Sequence, residues 1–216
     1  MSQIYRKFGT KLNIETCMQS AVCKIESEIK RRKRGKIYFV DDFSSFGTSE
    51  AIKKALLRFE KSGMLIRLAH GIYLYPSIDK KFGLGILYPS VETIASEIAR
   101  RDKARIVPTG LYALNVLGLS TQVPTNIVFH TDGAPRKIRV YNQLITFKHV
   151  TPKNLAYKSK LLMLVVSAFK EIGEHSVSEN HLNTIKQILS QETKENIQRD
   201  INLAPVWVRK KIQQII

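Results

Sequence analysis

The stretch "GTSEAIKKALLRFEKSGMLIRLAHGIYLYP" (residues 47–76) decides the fold of the first third of this chain. Thr48 or Ser49 stands where a helix cap accepts hydrogen bonds from free N–H groups. Ile52, Ala55, Leu56 and Phe59 recur at i, i+3, i+4, i+7, the spacing of one buried helix face. The opposite face carries Ser49, Lys53, Lys54, Arg58 and Lys61, and Gly63 ends the helix. "MLIRL" and "IYLYP" then read as two strands about a turn at Ala69, His70 and Gly71. Gly71 suits that turn because it takes φ > 0 without steric cost.

Upstream, residues 1–14 are basic and aperiodic. From Glu15 the apolar positions Met18, Val22, Ile25 and Ile29 repeat at helical spacing. That helix ends in "KRRKRGK" (residues 30–36), with Gly35 just past its end. "IYFV" is a short strand, and "DDFSSFG" a short helix with Asp41 or Asp42 as cap and Gly47 as exit. Helix, short strand, short helix, helix, hairpin is the order of a winged helix-turn-helix. A small α+β domain with no nucleic-acid role has the same order, and the sequence alone leaves that reading open.

Beyond Pro76 the character changes. "DKKFGLG" (79–85) reads as a Gly-rich connector. A helix over 90–101 follows, then the strand "ARIVP". "TGLYALNVLG" is a compact helix capped by Thr109 and closed by Gly118. Three strand-like runs come next, "NIVFHT", "KIRVY" and "LITFKHV", separated by the turn-forming "DGAP" and "NQ". They predict a small antiparallel sheet. From Leu155 onward the pattern is helical: "SKLLMLVVSAFKEIG" is a buried helix, Ser178 caps a second, and two more reach Ile216, broken at Pro205. The expected architecture is α+β. A winged helix-turn-helix spans 1–78, and an α+β domain with a helical C-terminal tail spans 83–216.

The bulk numbers bound the function. Among 216 residues, 35 Lys and Arg face 18 Asp and Glu, a net charge of +17. Residues 1–90 carry 17 basic side chains against 8 acidic, and 91–216 carry 18 against 10, so both halves are basic. Such a field favours polyanions, although a generally basic surface has the same composition. The longest apolar tract, "LLMLVVSAF", is too short to span a bilayer, and the N-terminus lacks an apolar signal segment. A cytoplasmic protein without membrane partners is expected. Cys17 and Cys23, with no second pair to complete a zinc site, read as reduced thiols.

In a helix-turn-helix the last helix enters the major groove, where its first turns meet base edges. Thr48, Ser49 and Lys53 hold those places. Lys54, Arg58 and Lys61 suit phosphates, as do Arg67 and His70 near the hairpin tip. Glu50 is read as a partner of the helix dipole rather than of cytosine. The run 30–36 either holds a flanking phosphate or is a solvated helix end. An enzyme is not expected: no phosphate loop, nucleophile elbow or dinucleotide fingerprint occurs. His130, Asp132 and His149 fall on neighbouring strands and form the one candidate cluster. A nuclease would need grouped carboxylates for its metal, and those are missing. No cofactor and no metal are called for.

Two segments carry a family likeness. The block "TSEAIKKALLRFEKSGMLIRLAHGIYLYP" resembles the N-terminal winged helix of the AbiEi-like antitoxins at Leu56, Phe59, Gly63, Leu65, Arg67, Leu68, Gly71, Tyr73 and Pro76. "PTGLYALNVLGLSTQVPTNIVFHTDGAPRKIRV" (108–140) resembles their C-terminal domain at Leu114, Gly118, Leu119, Gln122 and Pro124. The likeness covers most of residues 17–160, and the tail after about residue 171 has no counterpart. It implies the antitoxin of a type IV toxin–antitoxin pair. Such a protein represses its own operon by binding double-stranded promoter DNA, and counters a nucleotidyltransferase-like toxin without a stable complex. A winged-helix regulator of an unrelated operon, or a nucleic-acid-processing enzyme, are the alternatives.

Overall fold

The computed structural model describes residues 20–216 as a mixed α+β protein of two compact units that divide between Ser90 and Val91. The basic segment 1–14, the helix start at Glu15, and Cys17 and Met18 lie outside the described residues. Cys23 is disulfide-bonded, so the expectation of a reduced thiol does not hold there.

In the first unit α1 (Ala21–Arg31) is capped by Ser20, whose Oγ accepts from the Cys23 N–H at 3.3 Å. The helix stops at Arg31, short of the expected Gly35. Gly35 instead sits at φ +88°, and its N–H bonds the Tyr75 carbonyl at 2.6 Å. Strand β1 (Ile37–Phe39) leads into a 3-10 helix (Val40–Phe46), where Asp42 Oδ2 accepts from the Phe39 N–H at 2.8 Å. Helix α2 (Ser49–Lys61) and the hairpin of β2 (Ile66–Ala69) and β3 (Ile72–Leu74) follow. Both sheet pairings are antiparallel, and the strand order is β1-β3-β2, so the last strand lies in the middle.

Ile25 and Ile29 of α1 meet Ile52, Ala55, Leu56 and Phe59 of α2 in one core, closed by Tyr38, Phe43 and Leu65. The Tyr38 and Phe43 rings stack at 5.4 Å. Gly71, at φ +74°, turns the hairpin. At Gly47 a Cβ would meet Ala21 Cβ at 3.0 Å, so glycine lets the entry to α2 approach α1. The segment expected as a connector behaves otherwise. Its ends belong to β4 (Ser77–Asp79) and β5 (Gly85–Leu87) and residues 80–84 form the turn between them, in an antiparallel ribbon where Ile78 faces Ile86.

In the second unit α3 (Val91–Arg101) precedes β6 (Ile106–Thr109), α4 (Leu111–Val116), β7 (Asn126–Thr131), β8 (Arg136–Val140) and β9 (Gln143–His149). Thr109 ends β6 rather than capping α4; the cap position is Gly110, with no side-chain hydrogen bond. The sheet order is β6-β7-β9-β8, and β7 runs parallel to β9, the other two pairings being antiparallel. "DGAP" therefore does not close a hairpin of neighbours. Asp132 is held by Arg105, whose backbone N–H donates at 2.7 Å and Nε at 2.8 Å. That anchors the turn beside β6, and the chain steps across β9, roughly two strand spacings of 4.8 Å, before β8 begins. The tight turn is the later one, at Tyr141, which takes φ +52°.

The tail comprises α5 (Lys160–Ile172), α6 (Glu179–Leu189), α7 (Lys194–Asp200) and α8 (Val206–Gln213), with Ser159, Ser178 and Thr193 as side-chain caps of the first three. Their shared core includes Leu162, Val165, Phe169, Ile185, Leu189, Val208 and Ile212. Asp200 is buried with them. Its Oδ2 accepts the backbone N–H groups of Lys158 and Ser159, both at 2.7 Å, and Oδ1 accepts Arg199 Nε at 3.2 Å. Burial favours the neutral carboxyl, but the Ser159 N–H, the Arg199 side chain and the Lys158 N–H together hold Asp200 below the ordinary aspartate range.

Asp200→Ala leaves two N–H groups and a guanidinium without their acceptor, and is expected to cost about 3 kcal/mol in urea unfolding. A carboxylate with a depressed folded pKa contributes stability that is full above its unfolded value of about 3.9 and is lost as pH falls through the folded one. The acid-side drop in melting temperature is therefore expected to be shallower in Asp200→Ala than in the parent.

Candidate nucleic-acid interface

All eight side chains singled out on α2 and the hairpin are exposed, and the burial of the Ile52–Ala55–Leu56–Phe59 stripe is what turns them outward. Thr48 is the helix cap: its Oγ1 accepts the Ala51 N–H at 3.3 Å. Ser49 begins the helix and makes no such bond. Lys54 Nζ lies 2.7 Å from Glu50 Oε1, and with the two side chains 70% and 77% exposed the pair is solvated and contributes little. Glu50 is thus spent on Lys54 as well as on the helix start. Lys53, Arg58 and Lys61 have no carboxylate within ion-pair distance among the described residues. Three cations on one face stand uncompensated.

Arg67 and His70, three positions apart across a strand end, are brought together at the hairpin. Arg67 Nη2 donates to His70 Nδ1 at 3.0 Å, which requires the neutral imidazole with its proton on Nε2. The two therefore act as one polar tip rather than two independent cations. Leu57 was missed by sequence reasoning. It is 47% exposed in the middle of the basic face, one residue outside the buried stripe. Its position off the 52, 55, 56, 59 pattern was the available signal.

The basic run 30–36 divides by role. Lys30 pairs with Glu26 at 2.6 Å, and Arg31 and Arg32 both pair with Glu28, at 2.6 and 2.9 Å. The bond from Arg32 is the main influence holding the Glu28 carboxyl low. Arg34 packs over the Tyr75 ring at 4.8 Å and donates to the Pro76 carbonyl at 3.1 Å, and Lys36 lies over Tyr38 at 4.9 Å. Most of the run is committed to its own fold.

The cluster of His130, Asp132 and His149 is not assembled. His130 lies on the sheet face shared with Val128 and Lys148, and burial first, then Lys148 and Lys170, push its pKa below the ordinary imidazole value. Asp132 is engaged by Arg105, and His149 Nδ1 contacts the Gly133 carbonyl at 3.0 Å on the other face. Among the described residues no group of three His, Cys, Asp or Glu could hold a metal ion, and no helix is long and apolar enough to cross a membrane.

Residues 24–197 match DUF6088, a family of unknown function. The chain belongs to that family. The DUF6088 match takes in α2, the β2–β3 hairpin and the whole mixed sheet, and stops inside α7, leaving α8 beyond it. None of the curated proteins matches the chain. Among solved structures, the RV2827C protein from Mycobacterium tuberculosis is similar at a TM-score of 0.42 and 14% identity, over 93% of this chain and 82% of that one.

The cap assignment is checked on this DUF6088 protein by two neighbouring substitutions. Thr48→Ala is expected to lower unfolding free energy by about 1 kcal/mol. Ser49→Ala, which removes no cap, is expected to leave it within about 0.5 kcal/mol of the parent in the same urea titration.

Proposed function

We propose that this protein reads duplex DNA with α2 in the major groove and the β2–β3 hairpin against the flanking backbone, as a winged helix-turn-helix does. The supporting observation is the face of α2 on which Lys53, Arg58 and Lys61 stand exposed around Leu57, with no ion-pair partner among the described residues. Of the two carboxylates on α2, Glu50 is paired with Lys54 and Glu60 is half-buried, which leaves Lys53, Arg58 and Lys61 without an ion-pair partner among the described residues. The β1-β3-β2 order agrees with that reading, and the Leu65 N–H bonds the Phe59 carbonyl at 3.0 Å, which holds the start of the hairpin beside the C-terminal end of α2.

On this reading Ser49 and Lys53 meet base edges, with Thr48 setting the entry angle. Leu57 offers apolar contact of the kind a thymine methyl accepts. Arg58 and Lys61 bind phosphates, Lys54 contributes less because Glu50 competes for it, and the Arg67–His70 pair touches the backbone. The likeness to AbiEi-like antitoxins extends this to a cytoplasmic autorepressor that counters a nucleotidyltransferase-like toxin. The chain then acts without metal or cofactor and is not an enzyme.

The test is binding of the full chain to the duplex immediately upstream of its own gene and to a scrambled duplex, over 50–200 mM salt. Sequence-dependent binding is expected, with log K falling by roughly 0.9 per neutralised phosphate for each decade of salt. Arg58→Ala and Lys61→Ala should each weaken both duplexes about equally and reduce that slope by about one. Lys53→Ala should instead shift preference between duplexes by about 1–3 kcal/mol. If Arg58→Ala with Lys61→Ala leaves affinity and slope unchanged, α2 is not the contacting face. Rescue from a nucleotidyltransferase-like toxin encoded beside the gene tests the antitoxin role separately.

A further inference from the structure

The second unit contains a cleft of about 480 Å³ between α3, the start of β6 and the first turn of α5. That is the size of pocket that small molecules occupy. Its apolar wall includes Val107, Phe129, Met163 and Leu164, of which Val107 and Phe129 are almost wholly buried. At its mouth stand Lys158 and Lys160, both exposed and without an ion-pair partner among the described residues. Glu92 is the one carboxylate among the lining residues.

The polar groups of this cleft are unevenly committed. Arg105 is already filled by Asp132 and by the carbonyls of Leu155 and Pro152, and Arg100 is engaged by Glu97 at 2.6 Å. Tyr157, half-buried in the wall, has a hydroxyl with no hydrogen-bond partner among the described residues. Burial first, and the Asp200 charge second, push that hydroxyl up to about 12, so it remains a donor at neutral pH. The same Asp200 takes the backbone N–H groups of Lys158 and Ser159. It thereby fixes the main chain between the two rim lysines and the tyrosine.

This inventory selects the ligand. Apolar walls from Met163, Leu164, Tyr157 and Pro108 suit a ring, and two ammonium groups with one phenol suit a single small anion. A phosphate would use a fork of arginine or a set of free backbone N–H groups. Here the Arg105 fork is occupied, Asp200 takes the N–H groups of Lys158 and Ser159, and Ser159 Oγ takes that of Leu162. We propose that the cleft is a binding site for an aromatic carboxylate. The ring lies against Met163 and Leu164, the carboxylate is held by Lys158 and Lys160, and the Tyr157 O–H donates to it. The site lies within the second unit and does not depend on the reading of α2.

Calorimetric titration of the full chain with 2-naphthoate and with its neutral counterpart 2-naphthalenemethanol tests this. The acid is expected to bind at least about tenfold tighter than the alcohol, the effect of one charge-assisted contact set. Lys158→Ala with Lys160→Ala should bring the acid down to the alcohol, and Tyr157→Phe should weaken the acid alone. Ser96→Trp, at an exposed lining position, should block both probes; Leu164→Trp serves if that variant fails to melt cooperatively. Phe82→Ser with Leu84→Ser on the exposed β4–β5 turn should change nothing. Equal affinity for the two probes, no binding of either, or binding that survives filling the cleft but disappears with the β4–β5 substitutions overturns the proposal.

Discussion

The burial of Ile52, Ala55, Leu56 and Phe59 against α1 and the 3-10 segment is the constraint on which the first unit depends. A helix has one face to give to a core, and once that stripe is packed the rotation of every other side chain is set. Lys53, Lys54, Leu57, Arg58 and Lys61 are exposed because their neighbours are not. The same packing sets where the chain leaves α2 and so where the hairpin stands. Gly71 closes the hairpin, and β3 enters between β1 and β2. Electrostatics then decides which exposed cations remain available. Glu50, Glu26 and Glu28 draw off Lys54, Lys30, Arg31 and Arg32, while Glu60 at the far end of α2 is half-buried and forms no ion pair with Arg58 or Lys61.

In the second unit a buried carboxylate has the corresponding place. Asp200 lies at the end of α7, over forty residues from the backbone it binds, and ties the entry of α5 to the closing helices. Its ionised state is sustained by hydrogen bonds rather than by solvent, which is what makes the junction specific. Arg105 acts in a similar way at the sheet. By gripping Asp132 and the carbonyls of Pro152 and Leu155 it holds the end of β7 and the return toward α5 beside β6. The cleft lies between these two fastenings, and its open cations belong to the segment that Asp200 positions.

Much of this was legible from the residues. Helices announced themselves by period and by caps: Ser20 and Ser159 lay unremarked as caps, but Thr48 and Ser178 sit where their side chains accept a first-turn N–H. The α+β character and the helical tail followed from the same patterns. Misreadings came where local chemistry competes with distant partners. "DKKFGLG" has linker composition, yet Asp79 Oδ1 accepts the N–H groups of Lys81 and Phe82 and makes it a turn. "DGAP" has hairpin chemistry, yet Arg105 recruits its aspartate and the neighbouring strand becomes β9 rather than β8. Thr109 has cap chemistry, but β6 claims it.

Sequence by itself determined what each residue could do locally: which face of α2 is apolar, where turns need glycine, and that both halves are basic. Those properties depend on neighbours within a few positions, so period and composition carry them. The tertiary structure alone decided which charges are spent and which are free, that His130, Asp132 and His149 serve three separate places, and that a cleft opens beside Tyr157. Those depend on contacts between residues tens of positions apart. A carboxylate there neutralises, anchors or ignores a cation according to the path of the chain, and no local pattern encodes that choice.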